Sequence, residues 1–399
     1  MKLIALKDVC KINMGQSPNS SSYNDYGDGM PFFQGNADFG ERYPITRVWC
    51  NTPTKIAQAE DILISVRAPI GALNYAKEEC CIGRGLAAIT PDRNKVSQDF
   101  IYWALKGKKA ELNDKGNGST FKAISRKILE ETMIPDINFE QQHKCAENLE
   151  KIYGIIQNRR KELLALDDLI KARFVELFGN PVLNEKGWES NLLAQLTLKI
   201  GSGATPKGGR EAYQEEGIAL IRSMNVYNGK FEYKDLAHIS DEQAAKLDNV
   251  IIKESDVLLN ITGASVARSC VVPNQILPAR VNQHVCIIRC KECIEPIFLN
   301  RLLIDDNYQK LLWEIAGSGA TREAITKQQV ERLKIILPPI ELQNQFADFV
   351  RQVDKSKVYS LSISSIISFA RYKIGNSLFA TSVPNRVFFL FSYSRTASS

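Results

Sequence analysis

The chain repeats itself. Residues 1–138 and 179–340 carry the same succession of segments, so a fold for this sequence must place two similar modules in tandem. Each copy opens with an amphipathic segment ending in a Gly-polar-Pro turn, KINMGQSP at 11–18 and KIGSGATP at 199–206. A short apolar strand and an Asn-containing turn follow, PFFQGNADFG at 31–40 and IALIRSMNVYNG at 218–229. Next come an acidic residue, an apolar strand and a Gly turn, EDILISVRAPIG at 60–71 and SDVLLNITGAS at 255–265. A further strand (CIGRGLAAI, RVNQHVCII) and a helix (DFIYWAL, PIFLNRLLI) precede the closing stretch. That stretch is GNGSTFKAISRKILEETMIPDINFEQQ at 116–142 and GSGATREAITKQQVERLKIILPPIELQNQ at 317–345. The offset drifts only from roughly 188 to 203 residues, as a duplication with small insertions requires.

Between the copies lies Phe139–Phe178. Leu149, Ile152, Ile156, Arg159, Leu163, Leu166, Ile170, Arg173 and Leu177 recur every three or four residues, a narrow stripe along one helix that suits a coiled-coil seam. At about 1.5 Å per residue the helix would be on the order of 60 Å long. Such a stripe needs a partner. The second copy supplies one: residues 341–354 begin a helix with Leu342, Phe346, Phe349 and Val353 at matching spacing. From 355 to 399 the chain has six basic and no acidic residues, many serines, and an apolar VFFLFSYS run. This tail reads as a frame-shifted or truncated substitute for the rest of the second helix, leaving the half of the long helix from Leu163 to Leu177 for the tail, a second chain or other subunits to cover.

Charge does not by itself point to nucleic acid. The net +6 resides in residues 355–399; residues 1–138 carry 18 basic and 16 acidic side chains, 139–178 seven of each, 179–340 nineteen of each, and 341–354 one basic and three acidic. Any DNA contact must come from local arrangement. No apolar run reaches the roughly 20 residues of a spanning helix, and MKLIALKDVCKI lacks a secretory core, so a cytoplasmic location without membrane association is expected. Nine cysteines follow no framework spacing. His284, Cys286, Cys290 and Cys293 lack the second ligand pair of a zinc site, and HVCIIRC reads as a strand with half-buried thiols.

The duplication, EDILISVRAPIG, the Gly-Ser-Thr stretches GNGSTFKAIS and GSGATREAIT, and the Pro-led helix entries IPDINFEQQ and LPPIELQNQ together resemble the specificity subunits of type I restriction-modification systems over residues 1–354. The resemblance implies an α+β protein of two target recognition domains, 1–138 and 179–340, each reading half of a split, asymmetric DNA site. It implies that the helices at 139–178 and 341–354 pair as an antiparallel coiled coil, act as a ruler, and dock two adenine-methylating M subunits that hold the S-adenosylmethionine chemistry. R subunits complete the full complex, and this chain itself needs no cofactor and catalyses nothing.

Polar loop residues are the candidate readers, since Arg pairs with guanine and Asn or Gln with adenine in the major groove. In the first module these are Gln16, Ser17, Gln34, Asn36, Arg67 and Arg84; in the second, Thr205, Lys207, Arg222, Asn225, Asn260, Gln283 and His284. A helix at Phe121–Glu131 capped by Ser119 or Thr120 would offer a phosphate its N-terminus beside Lys122, and Thr321 with Arg322 repeats the arrangement. Arg159 and Arg173 on the stripe are candidate partner-binding residues. The aromatic pairs Phe32–Phe33 and Tyr102–Trp103 read as core.

An enzyme would need a catalytic constellation, and none assembles. GSGATPKGG has Pro206 where a phosphate loop requires Gly, and no Ser or Thr follows Lys207. A non-catalytic protein–protein adaptor, two modules on a coiled-coil strut, stays open beside the DNA reading because the modules are near neutral.

Overall fold

The computed structural model describes residues 2–117, 122–205, 209–317 and 323–357. They fall into two compact units that divide between Arg159 and Arg160, inside the long helix. Each unit repeats the other's topology. In the first, an antiparallel sheet runs in the order Cys10–Met14, Leu86–Pro91, Ile62–Ser65, Leu73–Tyr75; in the second, Thr197–Ser202, Val285–Cys290, Val257–Asn260, Ser269–Val271. A two-stranded ribbon closes each unit, Leu3–Ala5 with Met133–Pro135 and Ser190–Leu192 with Lys334–Ile336. A second sheet is built around one parallel pair, Met30–Phe33 with Cys80–Ile82 and Ile218–Ile221 with Ala279–Val281.

The strands beside the sheet centre, Ile62–Ser65 and Val257–Asn260, are buried throughout. That is why they read as unbroken apolar runs rather than as an alternating pattern. In the first unit one face of the sheet packs on helix Gln98–Gly107, whose Phe100, Tyr102 and Trp103 are at most 3% exposed. Phe32 and Phe33, at 4%, are core as expected. Burying a side chain of this size contributes about 2–3 kcal/mol.

The helix between the modules runs Phe139–Phe178. Asn138 caps its start by accepting from the Gln141 amide at 2.9 Å, and Gly179, at φ +74°, ends it with an amide bond to the Val175 carbonyl at 2.8 Å. Its first turns belong to the first unit, where Ala146 and Leu149 are buried and Tyr153 stacks edge-on to Trp103. Arg42 sits over the rings of Tyr102, Trp103 and Tyr153 and pairs with Glu150 of the helix. A buried glutamine ties each long helix to its module. Gln142 accepts from the Ser97 amide at 2.7 Å and donates to the Ile137 carbonyl at 2.8 Å. Gln343 accepts from the Glu295 amide at 2.9 Å and donates to the Pro338 carbonyl at 2.7 Å.

The second helix spans 340–357, three residues past the break expected at Asp354. It packs antiparallel on the end of the long helix within the second unit. Phe346 meets Phe174 and Phe178 edge-on, and one further along the pairing Lys357 binds Asp167 at 2.6 Å. Ile170, Phe174, Phe178, Val350 and Val353 share one core. From Leu166 to Leu177 the stretch expected to await a cover therefore already has one. The reason is register: the stripe pairs end to start, so the second helix, from Phe346 beside Phe178 to Lys357 beside Asp167, reaches back past Ile170. The tail assigned to 355–399 lies outside the described residues beyond Lys357.

Candidate nucleic-acid interface

In the first unit the expected readers converge. The loops after Met14, Phe33 and Ser65, the turn between Ile82 and Leu86, and the segment from Lys122 are joined by backbone bonds. Gly83 donates to the Phe33 carbonyl at 2.8 Å, Gly85 to Gln34 at 3.2 Å, Val66 to Gly85 at 2.9 Å, Gln16 to Ile82 at 3.0 Å, and Ala68 to Lys122 at 3.1 Å. The Ser17 hydroxyl accepts from the Arg84 amide at 3.2 Å. A side chain on Gly15 would run into the Gly83 carbonyl, so this close backbone packing requires glycine there. Gln16, Gln34, Arg67, Arg84 and Lys122 are exposed on this cluster, whereas Ser17 and Asn36 are half-buried. Asp38, the nearby acid, is occupied by the Gln34 and Gly35 amides at 2.8 and 3.3 Å. Three cations and two amides thus face outward from a module whose overall charge is small.

The second unit builds the same frame from different side chains. Asn282 donates to the Ile221 carbonyl at 3.0 Å, Ile261 to His284 at 3.0 Å, and Ile325 to Ile261 at 2.8 Å, matching Gly83 to Phe33, Val66 to Gly85, and Ile124 to Val66. Equivalent positions then hold Gln34 and Arg222, Arg67 and Thr262, Arg84 and Gln283. Gln283 is exposed, and its Oε1 accepts from the half-buried Thr205 amide at 3.0 Å. His284 Nδ1 lies 2.6 Å from the Thr262 hydroxyl. Thr262, which sequence reading passed over, stands where the first unit has Arg67.

Some expectations change. Asn225 and Asn260 are fully buried and do not face outward. Asn225 accepts from the Arg222 amide at 3.1 Å and donates to the Glu232 carbonyl at 2.9 Å, shaping its own turn. Asn260 donates to the Ser223 carbonyl at 2.9 Å. Arg222 folds back, with its guanidinium 5.2 Å from the Tyr213 ring and Nη2 bonded to the Asp235 carbonyl. The expected helix at Phe121–Glu131 is instead Arg126–Glu130, capped by Ser125, and its counterpart Lys327–Glu331 is capped by Thr326. Ala123 and Ala324 are taken by bridges to Arg67 and Thr262, outside those helices. Lys122, beside Ala123, is therefore not presented by a helix N-terminus. Ser119, Thr120, Lys207, Thr321 and Arg322 lie outside the described residues.

On the long helix, Arg173 pairs with Glu176 at 2.7 Å, and Arg159 is half-buried at the division between the units. The strand Val285–Cys290 carries the sequence read as HVCIIRC. Burial pushes the thiols of Cys270, Cys286 and Cys290 up to about 12, which keeps them protonated and unreactive. No described helix is long and apolar enough to cross a membrane.

A family model described as type I restriction modification DNA specificity domain matches twice, at residues 1–165 and 185–360. A putative type I restriction enzyme MjaX specificity subunit from Methanocaldococcus jannaschii is 47% identical over 152 residues, 38% of this chain and 36% of that one. The type I restriction enzyme EcoBI specificity subunit of Escherichia coli is 22% identical across 94% of this chain and 82% of its own length. A crystal structure of a type I restriction-modification S subunit from M. genitalium superposes with a TM-score of 0.61 at 15% identity, covering 96% of both chains, and shares the fold.

Proposed function

The chain belongs to the type I restriction-modification DNA specificity family, and from that premise we propose that it is the sequence-reading subunit of such a complex, each module contacting one half of a bipartite, asymmetric site in double-stranded DNA. The observation that carries this reading is the repeated loop frame with unlike side chains at equivalent positions, Arg67 against Thr262 and Arg84 against Gln283. One backbone frame fixes two similar approaches to a groove; different donors and acceptors then select different bases. Exposed Arg67, Arg84 and Lys122 supply a local cationic surface that the net charge conceals.

In this reading residues 1–138 and 179–340 are the two reading modules. The paired helices at 139–178 and from 341 onward form a coiled-coil ruler between them and the docking surface for two M subunits, with R subunits added in the full complex. The chain holds no reaction chemistry of its own, and the methylation subunits provide it.

Mapping methylated adenines genome-wide in a host that carries this chain with its methylation subunits tests the reading. The expected result is a two-part, non-palindromic motif with a fixed gap. Binding of that motif by the purified assembly should fall steeply as salt rises. Assembly with methylation subunits but without any footprint or methylation pattern would favour the adaptor instead.

A further inference from the structure

In the second unit a cavity of about 350 Å³ opens among Ser223, Thr262, Ser265, Arg268 and His284, on the loops that frame the expected readers. Arg268 is half-buried, with its guanidinium carbon 4.6 Å from the centroid of the Tyr227 ring. Stacking holds the planar fork in one orientation and leaves its donor edge unspent. Among the described residues no carboxylate pairs with it. Its backbone carbonyl accepts from Asn260 at 2.8 Å, which fixes the Cα at the strand end. Asn260 also donates to the Ser223 carbonyl, holding the opposite wall.

We propose that Arg268, braced by Tyr227, reads a guanine in the half-site contacted by the second module, with Thr262 and His284 flanking the same base pair. This rests on the DNA-reading function above and assigns one base contact within it. A guanine offers two acceptors on its major-groove edge that match a fixed guanidinium fork. A phosphate accepts any cation, whereas a fork held in one plane by Tyr227 suits the paired acceptors of a base edge, and the lysine variant below separates the two. The position is particular to this unit. The carbonyl that accepts from Ser65 in the first unit belongs to Ala72, which has no side chain able to make such a contact.

The test is selection of binding sites from randomised duplex DNA by the chain assembled with methylation subunits, comparing the wild type with Arg268→Ala and Arg268→Lys. Both variants should lose preference for guanine at one position of one half-site by roughly tenfold to a hundredfold, with the other half-site unchanged. Lysine keeps the charge but lacks the fork, so it separates base reading from phosphate contact. Uniform weakening on all sequences in the alanine variant with rescue by lysine, or unchanged preferences in both, would overturn the assignment. A melting curve checks that each variant folds; should alanine fail to fold, lysine decides alone. If the wild-type assembly selects no sequence at all, the DNA reading fails and this assignment with it. A selected motif that ignores Arg268 removes this assignment only.

Discussion

Replacing Phe346 with alanine should destabilise the second unit by about 3–5 kcal/mol, the loss typical of a buried aromatic ring truncated in a packed core. Phe346 is fully buried, with ring centroids 5.6 Å from Phe174 and 5.4 Å from Phe178, and those two rings pack on Phe298 at 5.9 and 4.7 Å. Edge-on contacts of this kind contribute beyond simple area. The cluster joins the end of the long helix, the start of the second helix, and helix Pro296–Leu303. Truncation removes packing from all three at once. Thermal unfolding of the purified chain should show a fall on the order of 10 °C for a unit of this size. A shift below about 2 °C would mean that the helix pair is held by other contacts. Leu169, which is exposed, serves as the control: its alanine variant should lie within about 0.5 kcal/mol of wild type.

An effect of similar size is expected at Asp256, and for a different reason. The carboxylate is fully buried and takes both Arg289 Nε and Nη2 at 2.8 Å, plus the Lys253 amide at 2.7 Å. Removing one partner strands the other. Asp256→Ala leaves the Arg289 guanidinium, 18% exposed, with only the Ile251 carbonyl at 2.9 Å, so a loss of roughly 3–5 kcal/mol follows. A double variant, Asp256→Leu with Arg289→Met, should recover most of that loss, because the desolvation of both charges disappears with the pair. Urea denaturation of both variants checks this. A double variant as unstable as the single one would show that the pair sets the local backbone rather than merely satisfying itself. Asp61, the equivalent residue in the first unit, caps the Gln58 amide at 2.9 Å without an arginine.

The parts of this fold legible in the sequence are those set by local rules. The limits of the long helix follow from Asn138 before it, Gly179 and Pro181 after it, and an apolar stripe between. The strands Ile62–Ser65 and Val257–Asn260 follow from runs that only double-sided burial makes favourable. The paired topology follows from the repeat. Other features depend on tertiary contacts that no local pattern encodes. Asn225 and Asn260 carry the same amide as an exposed reader, and only their burial separates them from it. Ala123 lies in a stretch whose sequence suits a helix, yet it is claimed by a bridge to Arg67. Gln142 and Gln343 look like solvated polar residues at helix starts. Their recurrence at the same place in both copies, FEQQ and IELQNQ, was the available signal, and it marks a buried tie. Arg268 gives no sequence signal because its role depends on Tyr227, forty-one residues earlier in the chain.

The central claim, that two modules independently read the two halves of one site, is tested most directly by exchanging residues 1–138 for the corresponding module of another specificity subunit and mapping the methylated adenines again. The account predicts a motif in which one half changes, while the other half and the gap stay as before, because the second module and the paired helices are untouched. A motif altered in both halves, or in neither, would contradict it.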